Sequence, residues 1–134
     1  MAQAGAVVGI VVLALSMTFA AAATARPSEK GKTSMVVEIV NRAPYGDMLA
    51  TVRGASLYTT PVACTGGCLT IWPPLLMPKG TKIPTGAAGL ATAKLKHHRR
   101  QVTFDGKRLY TFDGDSGGDV TGNGVEGFMV ATAP

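Results

Sequence analysis

A few short stretches hold the residue types from which a site could be made. GDSGG, residues 114–118, carries the letters of a serine-protease nucleophile loop. His97 or His98, Asp105 and Ser116 even run in the order of a catalytic triad. A triad is recognised by geometry, not by order, and that scaffold needs two barrels, more than this chain can build. Asp105 also precedes Gly106 in a favoured turn pair, which commits it to backbone shape. Serine hydrolase therefore stands last among the functions considered, and the expectation is a protein that is not an enzyme.

The same loop places Asp113, Asp115 and Asp119 close together in sequence. Clustered carboxylates suit a hard cation such as Ca²⁺. Gly124 stands where an EF-hand would supply its bidentate Glu, so the reading favours a turn over a cation site. GNGVEG (Gly122, Gly124, Gly127) has dinucleotide-loop spacing, but such a loop must open a helix, and FMVATAP reads as strand.

KLKHHRR is the densest charge cluster: Lys94, Lys96, His97, His98, Arg99 and Arg100. One reading is a solvated strand edge that discourages sheet-to-sheet aggregation. The other is contact with an anionic cell-envelope polymer or lipid surface, with no specific nucleic-acid recognition. His97 and His98 could also meet a metal or haem, with Met77 or Tyr110 as partners. No confident metal site and no cofactor are expected.

In CTGGC, Cys64 and Cys68 read as a disulfide in an exported chain. Gly66 and Gly67 lend the freedom that so short a loop needs. A metal site would want further ligands nearby. Haem attachment would want His directly after the second Cys, where Leu69 stands.

Export is read from the first residues. AGAVVGIVVLALSMTFAAAATA is apolar and uncharged, and Ala23-Thr24-Ala25 fits a small-residue cleavage site. Residues 1–25 therefore read as a signal peptide, or as an uncleaved membrane anchor, since the run is about long enough to span. All charge lies beyond Ala25, so the mature part keeps the net +5 of 13 basic and 8 acidic residues. Residues 26–34 read as a flexible linker, and 35–134 as one small domain.

That domain reads as mainly β. MVVEIV, MLATV and SLYTT are short β-branched runs separated by turn residues. The proline-rich stretch around Trp72 reads as extended loop, because Pro donates no ladder hydrogen bond. LATAK leans to strand. RQVTFDGKRLYTF is a hairpin, with Asp105-Gly106 as a type I′ turn. TVRGASLYTT aligns with TFDGKRLYTF without a gap. Such a repeat is the mark of a duplicated unit. Two related hairpin repeats, about 35–86 and 87–134, are expected to bury Leu57 and Leu109 in one interior and to turn Tyr58 and Tyr110 to the opposite face. The fold class is a small antiparallel β domain preceded by an apolar helix.

GASLYTT, CTGGC, IWPPLL, QVTFDGKRLYTFDGD and GDVTGNGVEGF together resemble the secreted-repeat family, predicted lipoproteins with a Tyr-x-aromatic-x-x-Asp motif. The likeness runs over roughly residues 46–132. Its motif residues here are Leu57, Tyr58, Trp72, Pro73, Pro74, Leu109, Tyr110, Phe112 and Asp115. The first copy departs from the motif: Thr60 and Pro61 follow Tyr58, and the acidic residue is missing. Phe128 stands where the family's closing strand carries Trp, and there is no lipid-attachment Cys. The resemblance implies an exported β domain with no established catalytic activity. The function expected is a secreted or cell-envelope binding or structural module. The alternative is an accessory of extracytoplasmic electron transfer or haem handling.

Overall fold

The computed structural model describes residues 31–134 as a continuous stretch; the expected signal peptide or anchor and the start of the linker lie outside the described residues. Nine short strands and one helical turn follow: β1 (Lys32–Met35), β2 (Val37–Arg42), β3 (Gly46–Thr51), β4 (Tyr58–Thr59), α1 (Cys68–Ile71), β5 (Thr81–Thr85), β6 (Leu90–Lys94), β7 (Arg100–Phe104), β8 (Lys107–Arg108) and β9 (Met129–Val130). Among the described residues no helix is long and apolar enough to cross a membrane.

The domain is mainly β, as expected, and its strands form four small sheets. Three of them are antiparallel: β2–β3, β4–β9 and β6–β7–β8. The fourth corrects the antiparallel expectation, because β1 runs parallel to β5. Lys32, Thr33 and Ser34 thus pair as strand inside the stretch read as linker. Parallel neighbours need a long crossover, and here β2, β3, β4 and α1 supply it. Local pattern cannot announce such a pairing, since the partner lies some fifty residues away.

The proline-rich stretch is more ordered than expected. Pro74 and Leu76 form isolated bridges to Tyr110 and Gln101, and Pro84 lies within β5. Pro73 accepts from the Thr111 N–H at 2.9 Å, and Leu75 accepts from Val102 at 2.8 Å. Proline lacks a donor but keeps its carbonyl, so the segment pairs through carbonyls and through the N–H groups of Leu75 and Met77.

The two repeats meet at their tyrosines. The Tyr58 N–H donates to the Tyr110 carbonyl at 2.8 Å, and the reverse bond is 2.9 Å. One residue earlier, Leu57 and Leu109 are both fully buried in one aliphatic cluster with Val37, Leu49, Val102 and Phe104. Burial of each leucine contributes about 1.5–3 kcal/mol. Tyr58 and Tyr110 turn to a second, aromatic cluster with Trp72 and Phe128. Alternation along the return strands therefore divides one module between two cores.

The turns of the two repeats differ. Asp105 (φ 47°) and Gly106 (φ 80°) form a two-residue loop between paired Phe104 and Lys107. In the first repeat Thr51 bonds to Ala55 at 2.8 Å across Val52, Arg53 and Gly54. Of those three only Gly54 has positive φ. Asp tolerates the left-handed region better than Arg does, so Arg53 selects the longer loop with its single Gly. The gapless sequence alignment is thus out of step by one residue on the outgoing strand: Leu57 donates to Leu49, whereas Leu109 donates to Val102.

Candidate functional site

The aromatic cluster accounts for most of the motif residues. Trp72 is fully buried and stacks on Phe128, with centroids 3.7 Å apart and planes 5° from parallel. Its indole N–H donates to Glu126 Oε2 at 3.0 Å. Tyr58 meets Trp72 edge-on at 5.4 Å, and Phe112 lies 4.5 Å from the Trp72 centroid. Gly122 lets this packing close: a Cβ there would come within 2.8 Å of the Trp72 ring. Cys64 and Cys68 form the disulfide, and both pack against this cluster. The bond closes the loop in front of α1, whose last turn carries the chain into Trp72.

Asp115 belongs to this cluster rather than to a cation site. The buried Tyr58 hydroxyl donates to Asp115 Oδ2 at 2.6 Å. Asp115 Oδ1 accepts from the Thr121 N–H at 2.9 Å and from its hydroxyl at 2.6 Å. The Gly122 N–H in turn donates to the Tyr58 oxygen at 3.2 Å. Burial first, and then the bond to Asp115, raises the Tyr58 pKa above its ordinary value. Asp119 Oδ2 accepts from the Ser116 N–H at 3.1 Å. Asp113, Asp115 and Asp119 are therefore not assembled as a ligand set. Among the described residues no group of three or more His, Cys, Asp or Glu is placed to hold a metal.

Ser116 lies in a turn closed by the Asp119 N–H on its carbonyl at 3.1 Å. Neither Ser116 nor Asp105 lines the clefts that hold the histidines. The sequence order of a triad is not matched by a shared site.

The charged stretch, in contrast, becomes a concave surface. β6 and β7 are joined by a turn from Lys96 to Arg99, with His97 at φ 59° and His98 at φ 58°. Two successive left-handed residues are what a type I′ turn requires, and here neither is Gly. The turn and its flanks present Lys94, His97, His98, Arg99 and Arg100 to a cleft of about 470 Å³, and β5 adds Lys82. An adjoining cleft of about 400 Å³ shares His97, His98, Arg99, Arg100 and Lys82 and adds Met77, Pro78 and Lys79. Among the described residues no acidic side chain lines either. Arg100 is partly fixed by a 3.3 Å bond to the Thr92 hydroxyl.

Five of the six cationic candidates thus come together; Lys96 is exposed but lines neither cleft. Lys82 and Lys79 escaped the sequence reading because they arrive from β5 and the turn before it. The signal for them was the pair of lysines in PKGTK. Met77 does lie beside the histidines, but Tyr110 is buried in the aromatic cluster, so the donors weighed for haem or metal are not one set.

The matched region now has a structural meaning. Residues 91–130 match a family model described as a secreted repeat of unknown function. That model is the one for the family its motifs resemble. A family described as secreted supports an extracytoplasmic location. The match to the secreted repeat is narrower than the 46–132 expected: it runs from β6 through β9 and takes in the histidine turn, Tyr110 and Asp115. No curated protein and no solved structure matches the chain.

Proposed function

We propose that this protein is an exported, non-catalytic module that binds an anionic component of the cell envelope through the cleft beneath the His97–His98 turn. One observation carries the reading: cationic side chains from three separate elements line one concave surface, with no acidic side chain lining it among the described residues. Field lines from like charges on a concave wall reinforce each other and raise the local concentration of anions. The net +5 of the chain acts in the same direction.

The test is a titration of the full chain with long-chain inorganic polyphosphate at two salt concentrations. Binding should weaken steeply between about 50 and 200 mM salt, as contacts to phosphates do. Lys94→Glu combined with Arg99→Glu should reduce affinity by about ten-fold or more, while Arg53→Glu, exposed in the turn after β3 and lining neither cleft, should change it little. Binding that ignores both salt and the double variant would remove this reading.

A further inference from the structure

We infer that the ligand of this site is an anionic phospholipid, with its phosphate in the cationic cleft and the start of its acyl chain against Met77 and Pro78. The inference rests on the anion-binding reading above and names the ligand class. The two clefts form one continuous surface, because Lys82, His97, His98, Arg99 and Arg100 line both. Their chemistry is unequal. Lys94 and Leu95 complete the first, whereas Met77, Pro78 and Gly80 bring an apolar wall to the second, beside Lys79 and Thr81.

A hydrophilic polyanion would satisfy the cations and leave that wall in contact with water. An amphiphile satisfies both halves. Each cleft has the volume of a small-molecule seat, which suits a single glycerophosphate headgroup better than a folded macromolecule. Lys82, Lys94 and Arg99 are exposed, so their charges work at the water boundary, where lipid phosphates lie. Basic side chains near an anionic leaflet each strengthen attachment by about five-fold.

The experiment compares four probes on the full chain by NMR, following the His97 ring and the Met77 methyl. The probes are dihexanoyl phosphatidylglycerol below its micelle concentration, dihexanoyl phosphatidylcholine, glycerol phosphate and inorganic polyphosphate. The anionic lipid should move both signals and bind about five-fold or more tighter than glycerol phosphate, the gain expected from partial burial of an apolar stem. Phosphatidylcholine should not bind. Met77→Gln should erase the advantage of the lipid over glycerol phosphate and leave polyphosphate binding unchanged. Met77 also packs on the aliphatic core, so Pro78→Gln, exposed on the same wall and outside that core, provides the same comparison if Met77→Gln unfolds early. The apolar N-terminal stretch is identical in every variant and cancels. Equal affinity for the lipid and glycerol phosphate, with polyphosphate bound, would overturn the lipid inference and leave the anion reading standing. No binding of any anion would overturn both.

Discussion

The two Leu-Tyr-Thr copies share a backbone and a buried leucine, yet their tyrosines do different work. Tyr58 is fully buried and donates to Asp115, a residue of the other copy. Asp115 lies five residues after Tyr110; five residues after Tyr58 stands Ala63. The reciprocal Tyr58–Tyr110 backbone pair joins the two copies, and only the second carries a carboxylate at this spacing. Among the described residues the Tyr110 hydroxyl makes no side-chain hydrogen bond to protein, and no buried polar side-chain atom lacks a partner, so that hydroxyl meets water. Apolar burial has kept both leucines in register, because one interior needs both. The polar link is made on one side only, and that side closes the Asp115–Gly122 loop over the aromatic cluster.

This comparison can be broken at its strongest point first. Leu57→Ala and Leu109→Ala should each cost about 2–5 kcal/mol in urea unfolding, since both sites are fully buried in the same cluster. A large cost for one and a negligible cost for the other would end the idea of a shared interior. The tyrosines should differ instead. Tyr58→Phe removes the donor to Asp115 and the acceptor of Gly122, which should cost about 1–3 kcal/mol. Tyr110→Phe should stay within about 0.5 kcal/mol, as changes at water-satisfied hydroxyls do.

The pH dependence comes last, as a direction only. Folded Tyr58 keeps its proton above the ordinary tyrosine range, so the folded state binds more protons than the unfolded chain there. Its contribution is complete below about pH 10 and is lost as pH rises beyond it. Alkaline denaturation curves of the wild type and Tyr58→Phe should therefore converge with rising pH.

Much of the fold was legible because it is written in short-range chemistry. The Asp105-Gly106 turn, the alternation in RQVTF and the Cys64–Cys68 pair each need only a few neighbouring residues to state their geometry. The parallel β1–β5 pair was not legible, because Lys32–Met35 looks polar and its partner contains a proline. The one-residue offset between the repeats was also hidden: identical spacing of Gly, Leu and Tyr conceals the choice between a two-residue and a three-residue loop. At the candidate site, KLKHHRR was visible as charge but not as a concavity. Asp115 was visible as a carboxylate but not as the partner of a tyrosine in the other copy.

Residue order alone determined strand composition, turn chemistry, the disulfide and which leucines had to be buried, since these follow from steric limits and apolar transfer acting over a few residues. Only the tertiary structure decided that Lys82 joins the histidine turn and that Asp115 closes over Tyr58. Those contacts join segments far apart in the chain, and the free energy that selects them comes from packing both cores at once, which no local window contains.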